Sequence, residues 1–301
     1  MRIAIASFRG MPAEFRDDDL LLECLSARGA DAVAHPWDAG GVDWESFDLV
    51  VARSVWDYVL RHEEFLAWLA SVQAPVENAP ELIRWNSDKR YLADLQEAGV
   101  PVVPTVFVAP GERAPPIERE VVIKPSISAG ARQTGRFGPC SAAAATDLIE
   151  RIGADDRTAM VQPFLAAVEE HGETAVVMID GRLSHVLRKG TMLRADETAP
   201  VRLDDELGVA EAMYDPELVL RSTAEDDELE LAEQLIEEVR RRFGKAPLYA
   251  RVDMLRDEGG APVLLELEAV EPNLYFGQAP GAAERLADAI VARVSAAGGT
   301  P

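Results

Sequence analysis

The stretch Tyr249-Ala-Arg-Val-Asp-Met-Leu-Arg-Asp-Glu-Gly-Gly-Ala-Pro-Val-Leu-Leu-Glu-Leu-Glu268 reads as two alternating runs around a Gly-Gly pair. Tyr249 to Leu255 and Pro262 to Glu268 are predicted strands, and Gly259-Gly260 suits the positive-φ positions of a tight hairpin turn. With those glycines as the two central residues, Asp253 falls opposite Glu266, and Glu268 lies on the same face two residues along. Three carboxylates on one sheet face repel each other without a cation, so the pattern points to a divalent metal with hard oxygen ligands. Mg²⁺ keeps several waters and binds phosphates as well, which makes a nucleotide its natural companion. Val252, Leu265 and Leu267 mark the strands as half-buried, against the alternative of a solvated acidic face. A one-residue shift in the turn would break the pairing.

A second predicted hairpin, Thr174 to Lys189, turns at Asp180-Gly181. The same register rule sets Glu173 against Arg188 and sends Lys189 to the other face. Arg188 is then a candidate contact for a carboxylate or a transferring phosphate, oriented by Glu173; a structural ion pair is the alternative. Upstream, Lys124 ends the strand Glu120 to Lys124 and opens Pro125-Ser126-Ile127-Ser128-Ala129-Gly130-Ala131, a small-residue loop whose backbone N–H groups can fold over phosphates. A plain β-turn explains that run equally well. Gly130 and Gly135 have Walker A spacing, but Arg136-Phe137 stand where Lys and Ser/Thr are required, and no GxGxxG fingerprint occurs. Lysine is scarce: Lys89, Lys124, Lys189 and Lys245 stand among 30 basic residues. A retained lysine marks places that need a compact, rotatable charge, of which phosphate binding is one. Lys245, after Phe243-Gly244, instead suits a helix C-terminus.

The chain has 301 residues and a formal net charge of -23, enough for two or three sub-domains and repulsive to nucleic acid or an anionic membrane. Any anionic ligand must meet a locally positive pocket. Met1 to Ser7 is too short an apolar run for a signal peptide, and no run reaches the roughly 20 apolar residues of a membrane span, so a cytoplasmic protein is expected. Cys24 and Cys140 lack CxxC partners, and His35, His62, His171 and His185 lack metal-ligand spacing.

The first part alternates strand and helix: Arg2 to Ala6, a helix from Asp17 to Arg28 closed by Gly29, a strand near Val33, a strand from Asp48 to Arg53, and a helix from Arg61 to Val72. This is a βαβ pattern with a parallel sheet. The next helix is predicted from Asn86-Ser87-Asp88, with Ser87 as N-cap, to Gly99. Val102 to about Leu165 reads as a small α+β unit, with strands Val102 to Val108 and Glu120 to Lys124 and a helix from Ser141 to Ile152. The remainder holds the two hairpins, a long helix with one buried stripe (Leu229, Ala232, Ile236, Val239, Phe243) and a terminal helix after Pro280.

Taken in order, Trp85-Asn86-Ser87-Asp88-Lys89, Val122-Ile123-Lys124-Pro125, the loop to Gly130, Val161-Gln162-Pro163-Phe164-Leu165, Gly172-Glu173, and Arg251-Val252-Asp253 followed by Glu266-Leu267-Glu268 resemble the ATP-grasp superfamily over nearly the whole chain. The resemblance implies an α/β plus α+β fold: an N-terminal βαβ pre-ATP-grasp domain over residues 1–86, a central lid over 87–165 and a C-terminal sub-domain over 166–301, the last two clamping ATP. ATP and Mg²⁺ are the implied cofactors. Lys89 and Lys124 match the family's nucleotide lysines, joined by Lys189 and Glu173. Ser126, Ser128 and Gly130 match its phosphate loop, and Gln162, Pro163, Phe164 and Leu165 its adenine-reading hinge. Asp253 and Glu266 match its metal carboxylates; many members have Asn where this chain has Glu268, which keeps the ligand role and changes the charge. Arg53 to Tyr58, Trp85 to Leu92, Val100 to Thr105, Leu265 to Glu268 and Glu271-Pro272 further resemble the O-ureido-D-serine cyclo-ligase family. A homodimer is a form common among such relatives.

Family chemistry implies that a substrate carboxylate attacks the γ-phosphate of ATP and that a nitrogen nucleophile then displaces phosphate from the acyl phosphate. Arg251 and Arg188 are the residues expected to stabilise the transferring charge. A small, amino-acid-like substrate is expected at the C-terminal edge of the first sheet, near Ser7, Arg9, Arg53, Ser54, Trp56, Asp57 and Tyr58. The alternative makes Trp56 and Tyr58 packing residues and Asp57 a helix cap. An intramolecular cyclo-ligase, an intermolecular carboxylate-amine ligase and a nucleotide-binding regulatory protein without catalysis all fit at this level. Whether Glu271 or Asn273 also contacts metal or substrate is left open by the sequence.

Overall fold

The computed structural model describes residues 1–10, 17–190 and 218–298. It opens with β1 (Arg2–Ser7), α1 (Asp17–Ala27), β2 (Asp31–Pro36), β3 (Leu49–Ser54), α2 (His62–Ser71) and β4 (Val76–Glu77), which form a parallel sheet in the order β2-β1-β3-β4. Buried Ile3 to Ala6 and Leu49 to Ala52 supply the near-continuous apolar runs that a sheet covered on both faces requires.

Two short helices follow, α3 (Pro80–Asn86) and α4 (Tyr91–Glu97). The single helix expected from Asn86 is therefore two. Pro80 starts α3 at a position where its missing N–H is harmless, and Ser87 ends α3 rather than capping a helix start. Between them Lys89 N donates to Ser126 O at 2.8 Å, which fixes the break. Gly99, at φ +86°, lies just past α4.

The second sheet contains β5 (Val106–Val108), β6 (Val121–Pro125), β7 (Gly135–Phe137) and β8 (Ala159–Pro163) in the order β5-β8-β6-β7, covered by α5 (Ala142–Ala154). Its core is its own: Val108, Ile123, Phe137, Leu148, Ile152 and Val161 pack together. The strand expected from Val102 begins at Val106, because Pro101 and Val103 instead exchange backbone hydrogen bonds with Leu264. Ser141 precedes α5, but its hydroxyl bonds Gly138 rather than the helix N-terminus.

After α6 (Val168–His171) come β9 (Glu173–Ile179), β10 (Arg182–Lys189), β11 (Val219–Ser222), α7 (Asp226–Phe243), β12 (Tyr249–Arg256), β13 (Pro262–Glu268) and α8 (Ala282–Gly298). The strands form an antiparallel sheet in the order β11-β10-β9-β12-β13. α7 carries Asp226, Asp227 and Glu228 in its first turn and Arg240 to Arg242 in its last, complementing the helix dipole. One face of this sheet shares a core with the first sheet, where Ile3, Ile5, Leu21 and Val51 meet Ala175, Val177, Tyr249 and Ile290. Its other face packs on α7 together with Leu82, Leu92, Leu95, Val100 and Val102. Residues 87–103, grouped with the lid by sequence, thus pack on the C-terminal sheet. Among the described residues no helix is long and apolar enough to cross a membrane.

Both hairpins contain a bulge that the sequence does not announce. In β12–β13, Arg256 pairs with Pro262 and Met254 with Leu264, but Asp253 pairs with Glu266, so Leu265 is the extra residue. The turn is wider than a two-residue Gly-Gly turn: Asp257 Oδ1 accepts from Gly259 N and Ala261 N, and Gly260 takes φ +83°. A wider turn and one bulge offset each other, and the expected Asp253–Glu266 pairing results. In β9–β10 the turn is the expected one, with Asp180 at φ +50° and Gly181 at φ +72°. The pairing then slips at Ser184, so Lys189 faces Glu173 and Arg188 faces Thr174. The expectation that Arg188 points inward is overturned, because one inserted residue exchanges the two faces of a strand.

Candidate active site

A cleft of about 270 Å³ opens between the β5-β8-β6-β7 sheet and the large body. Val103, Val122, Leu255 and Leu265 give it apolar walls, and Gln162 to Leu165 run along one side. Lys124 lies on β6, and Lys89 lies at the break between α3 and α4; both reach the same carboxylate. Lys89 Nζ is 2.9 Å from Glu266 Oε1, and Lys124 Nζ is 3.6 Å from Glu266 Oε2. Lys89 also donates to Ser128 O at 2.6 Å, tying the small-residue loop to β13. That loop curls tightly, with Gly130, Ala131 and Gln133 at positive φ.

The register slip in β10 brings Lys189 Nζ to 2.5 Å from Glu173 Oε1 and 2.7 Å from Asp253 Oδ2. Arg251 forks onto Asp253, with Nε to Oδ1 at 2.9 Å and Nη2 to Oδ2 at 2.8 Å; it also pairs with Glu268 and donates to Asn273 O at 3.0 Å. The electrostatics follow from burial among fixed charges. Burial opposes the charge on Lys89, but Glu266, Glu271 and Glu268 outweigh it and hold the ammonium above its usual value. Burial dominates at Lys124, which is pushed down. Burial would raise Asp253, yet Arg251 and Lys189 keep it far below the ordinary carboxylate range. Glu268 is pushed up to about 7 by burial and by Asp253 and Glu266, although Arg251 opposes this. Glu271 is pushed up to about 8 by burial and by Glu268 and Glu266.

Asp253, Glu266 and Glu268 thus share a cleft, but the repulsion argument needs correction. Side-chain cations already offset them, and among the described residues no three His, Cys, Asp or Glu side chains are arranged to hold a metal ion. The donor chemistry still fits Mg²⁺. All three groups offer hard oxygens, and Glu268 and its neighbour Glu271, pushed up first by burial and then by nearby carboxylates, are groups whose charged form a cation would favour.

Of the remaining expected residues, Ser128, Gly130, Gln162, Pro163, Phe164, Leu165, Glu173 and Lys189 line the cleft. Ser126 does not: it is buried beneath the loop, where its backbone bonds Lys89 and Thr158. Arg188 turns away to Thr174 and to Glu228, 3.7 Å distant. From the first-sheet set only Trp56 reaches the cleft. Arg53 is buried between Asp18, the Pro272 carbonyl and the Tyr249 ring, and Ser54 donates to Asp18. Asp57 accepts from Trp37 Nε1 and pairs with Arg61; Arg9 pairs with Asp38 on the surface; Ser7 stays outside the cleft lining. Tyr58 is buried behind the cleft, beside Glu271. Sequence reasoning assigned nothing to the wall made by Glu271, Asn273 and Tyr275. The only sequence signal there was Glu271-Pro272, whose proline fixes the turn but does not reveal what it faces.

Comparison with known proteins agrees with this geometry. A family model described as D-cycloserine synthetase DcsG, N-terminal domain, matches residues 3–78. The cycloserine biosynthesis protein DcsG of Streptomyces lavendulae is 35% identical over 288 residues, covering 91% of this chain and 92% of that protein. The crystal structure of D-cycloserine synthetase DcsG superposes with a TM-score of 0.88 at 31% identity, covering 98% of this chain and 100% of that one. A D-alanine–D-alanine ligase from Bacillus anthracis complexed with ATP shares the fold, with a TM-score of 0.66 at 13% identity over 99% of this chain and 98% of that one. With a large body, a separate four-stranded sheet across the cleft and an acidic hairpin flanked by buried cations, the chain belongs to the DcsG family of ATP-grasp carboxylate-amine ligases.

Proposed function

We propose that the protein uses ATP to activate the carboxylate of a small amino-acid derivative and joins the acyl group to a nitrogen of the same molecule. An O-ureidoserine in a cycloserine-type biosynthesis is the substrate that best fits this reading. The observation that carries it is the interleaving of Lys89, Lys124, Lys189 and Arg251 with Asp253, Glu266 and Glu268 in one cleft, in a chain similar to DcsG over 91% of its length.

Asp253, Glu266 and Glu268 would hold Mg²⁺, which when bound neutralises phosphate charge. Lys89 and Lys124 would exchange Glu266 for phosphate oxygens, each supplying a point charge where negative charge builds up. Lys189 keeps Asp253 ionised and in place. Arg251, whose fork lies on Asp253 and Glu268, would turn part of it to the developing acyl phosphate and to the oxyanion formed on nitrogen attack. The loop over Ser126 to Gly130, held by Lys89 through Ser128 O, would shield the acyl phosphate from water.

ADP release with O-ureido-D-serine as the only added carboxylate tests the reading. A strict need for a second amine would overturn the intramolecular form, and failure with every carboxylate would overturn ligation. Lys124→Ala is expected to lower kcat/KM for ATP about a hundredfold while the circular-dichroism melt stays cooperative.

A further inference from the structure

Four of the five acidic side chains named in the cleft form an ion pair with a cation of the protein; Glu271 forms none, although Lys89 acts on it from farther away. Glu173 and Asp253 pair with Lys189, Asp253 and Glu268 with Arg251, and Glu266 with Lys89 and Lys124. Among the described residues no Lys, Arg or His nitrogen lies within 4.0 Å of the Glu271 carboxylate. Behind it, outside the cleft lining, stands Tyr58, a residue 2% exposed whose hydroxyl acts on the carboxylate. The backbone carbonyl of Glu271 accepts from Trp56 Nε1 at 2.9 Å, which sets the indole beside it on the cleft wall. Trp56 comes from the first sub-domain and Glu271 follows β13, so the two mark the end of the cleft that abuts the first sheet.

A carboxylate in a low-dielectric wall needs an opposite charge, and an indole beside it favours a cation. With Tyr58 behind it, the carboxylate keeps capacity for a donor from the cleft. We propose that Glu271 binds the ammonium group of the substrate, with Trp56 as its aromatic flank and Tyr58 as its positioning residue, so that the enzyme accepts carboxylates bearing a free amine. This rests on the ligase reading above and adds the residue that recognises the substrate's amine.

Calorimetry in the presence of Mg²⁺ and a non-hydrolysable ATP analogue tests the assignment, with O-ureido-D-serine and its α-hydroxy counterpart as probes. The wild type is expected to bind the amine about 10- to 100-fold more tightly, the range for one charge-assisted hydrogen bond. This arm needs no variant. Glu271→Gln, which keeps an acceptor for Tyr58, is expected to abolish the preference, and Glu271→Asp to retain part of it. Binding of both probes equally, or of neither, by the wild type overturns the proposal. So does a Glu271→Gln variant whose affinity for the amine is unchanged, or is restored by raising Mg²⁺, since that marks a metal ligand. ADP release is read separately: amine-selective binding without turnover overturns the ligase reading and leaves the ammonium site standing.

Discussion

Leu274, between two cleft-lining residues, has both of its backbone polar groups held by side chains. Its N–H donates to Asp17 at 3.1 Å, and its carbonyl accepts from His185 Nε2 at 2.8 Å. Since the carbonyl only accepts, His185 carries its proton on Nε2, and Nδ1 accepts from Ser184 at 2.9 Å. Burial, with Arg285 and Arg221 nearby, pushes the imidazole down to about 4, although the bond to Leu274 works the other way. The native state thus excludes a proton that the unfolded chain takes up near 6.5, so this contribution to stability is complete at neutral pH and shrinks as pH falls from 6.5 toward 4. His185→Gln removes that slope. Urea unfolding at pH 5 and pH 7 should show the stability difference reduced by about 1–2 kcal/mol relative to wild type. An unchanged difference would mean that His185 is protonated in the folded protein.

At the scale of elements, the site is aligned by two bulges and one glycine. Leu265 in β13 and Ser184 in β10 are the inserted residues: the first keeps Asp253 opposite Glu266, and the second brings Lys189 rather than Arg188 into the cleft. Gly172 closes α6 at φ +68° immediately before β9, and a Cβ there would lie 2.5 Å from the Lys189 carbonyl oxygen. Backbone cannot yield as a flexible side chain does. Gly172→Ala should therefore destabilise by about 2–4 kcal/mol and lower kcat by displacing the Lys189–Glu173 pair. Wild-type stability by urea unfolding would show that β9 and β10 separate there without penalty.

At the scale of the molecule, buried asparagines fasten the first half of the chain to the C-terminal sheet. Asn86 donates to Leu267 O at 2.8 Å and accepts from Ala269 N at 2.7 Å; Asn78 donates to Tyr249 O and Ala269 O and accepts from Leu248 N. These side chains anchor the chain that leads to Lys89, so the position of that ammonium depends on β13. Asn86→Ala strands backbone groups in the interior and should cost about 2–4 kcal/mol in urea unfolding. A loss under 1 kcal/mol would mean that water replaces the amide. On a molecule with a net charge of -23, the cleft gathers Lys89, Lys124, Lys189 and Arg251 among its carboxylates.

What the sequence determined by itself was local or periodic: the alternation of β1 to β4, the helix of Asp226–Phe243 with its charged ends, the Asp180-Gly181 turn, and the acidic strand pair. Side-chain period and turn chemistry write such features directly into residue order. Lys89, Lys124 and Arg251 were legible as site residues for the same reason, since each sits in a short recognisable run. Only the tertiary structure decided that Lys189 and not Arg188 faces Glu173, that Arg53, Ser54 and Asp57 are taken up by packing partners, and that Glu271 stands on the cleft wall. A bulge shifts register by one residue without a sequence mark of its own. Whether a buried charge is paired depends on segments that meet across 64 residues, as Lys189 and Asp253 do, or 177, as Lys89 and Glu266 do, and no local pattern records that meeting.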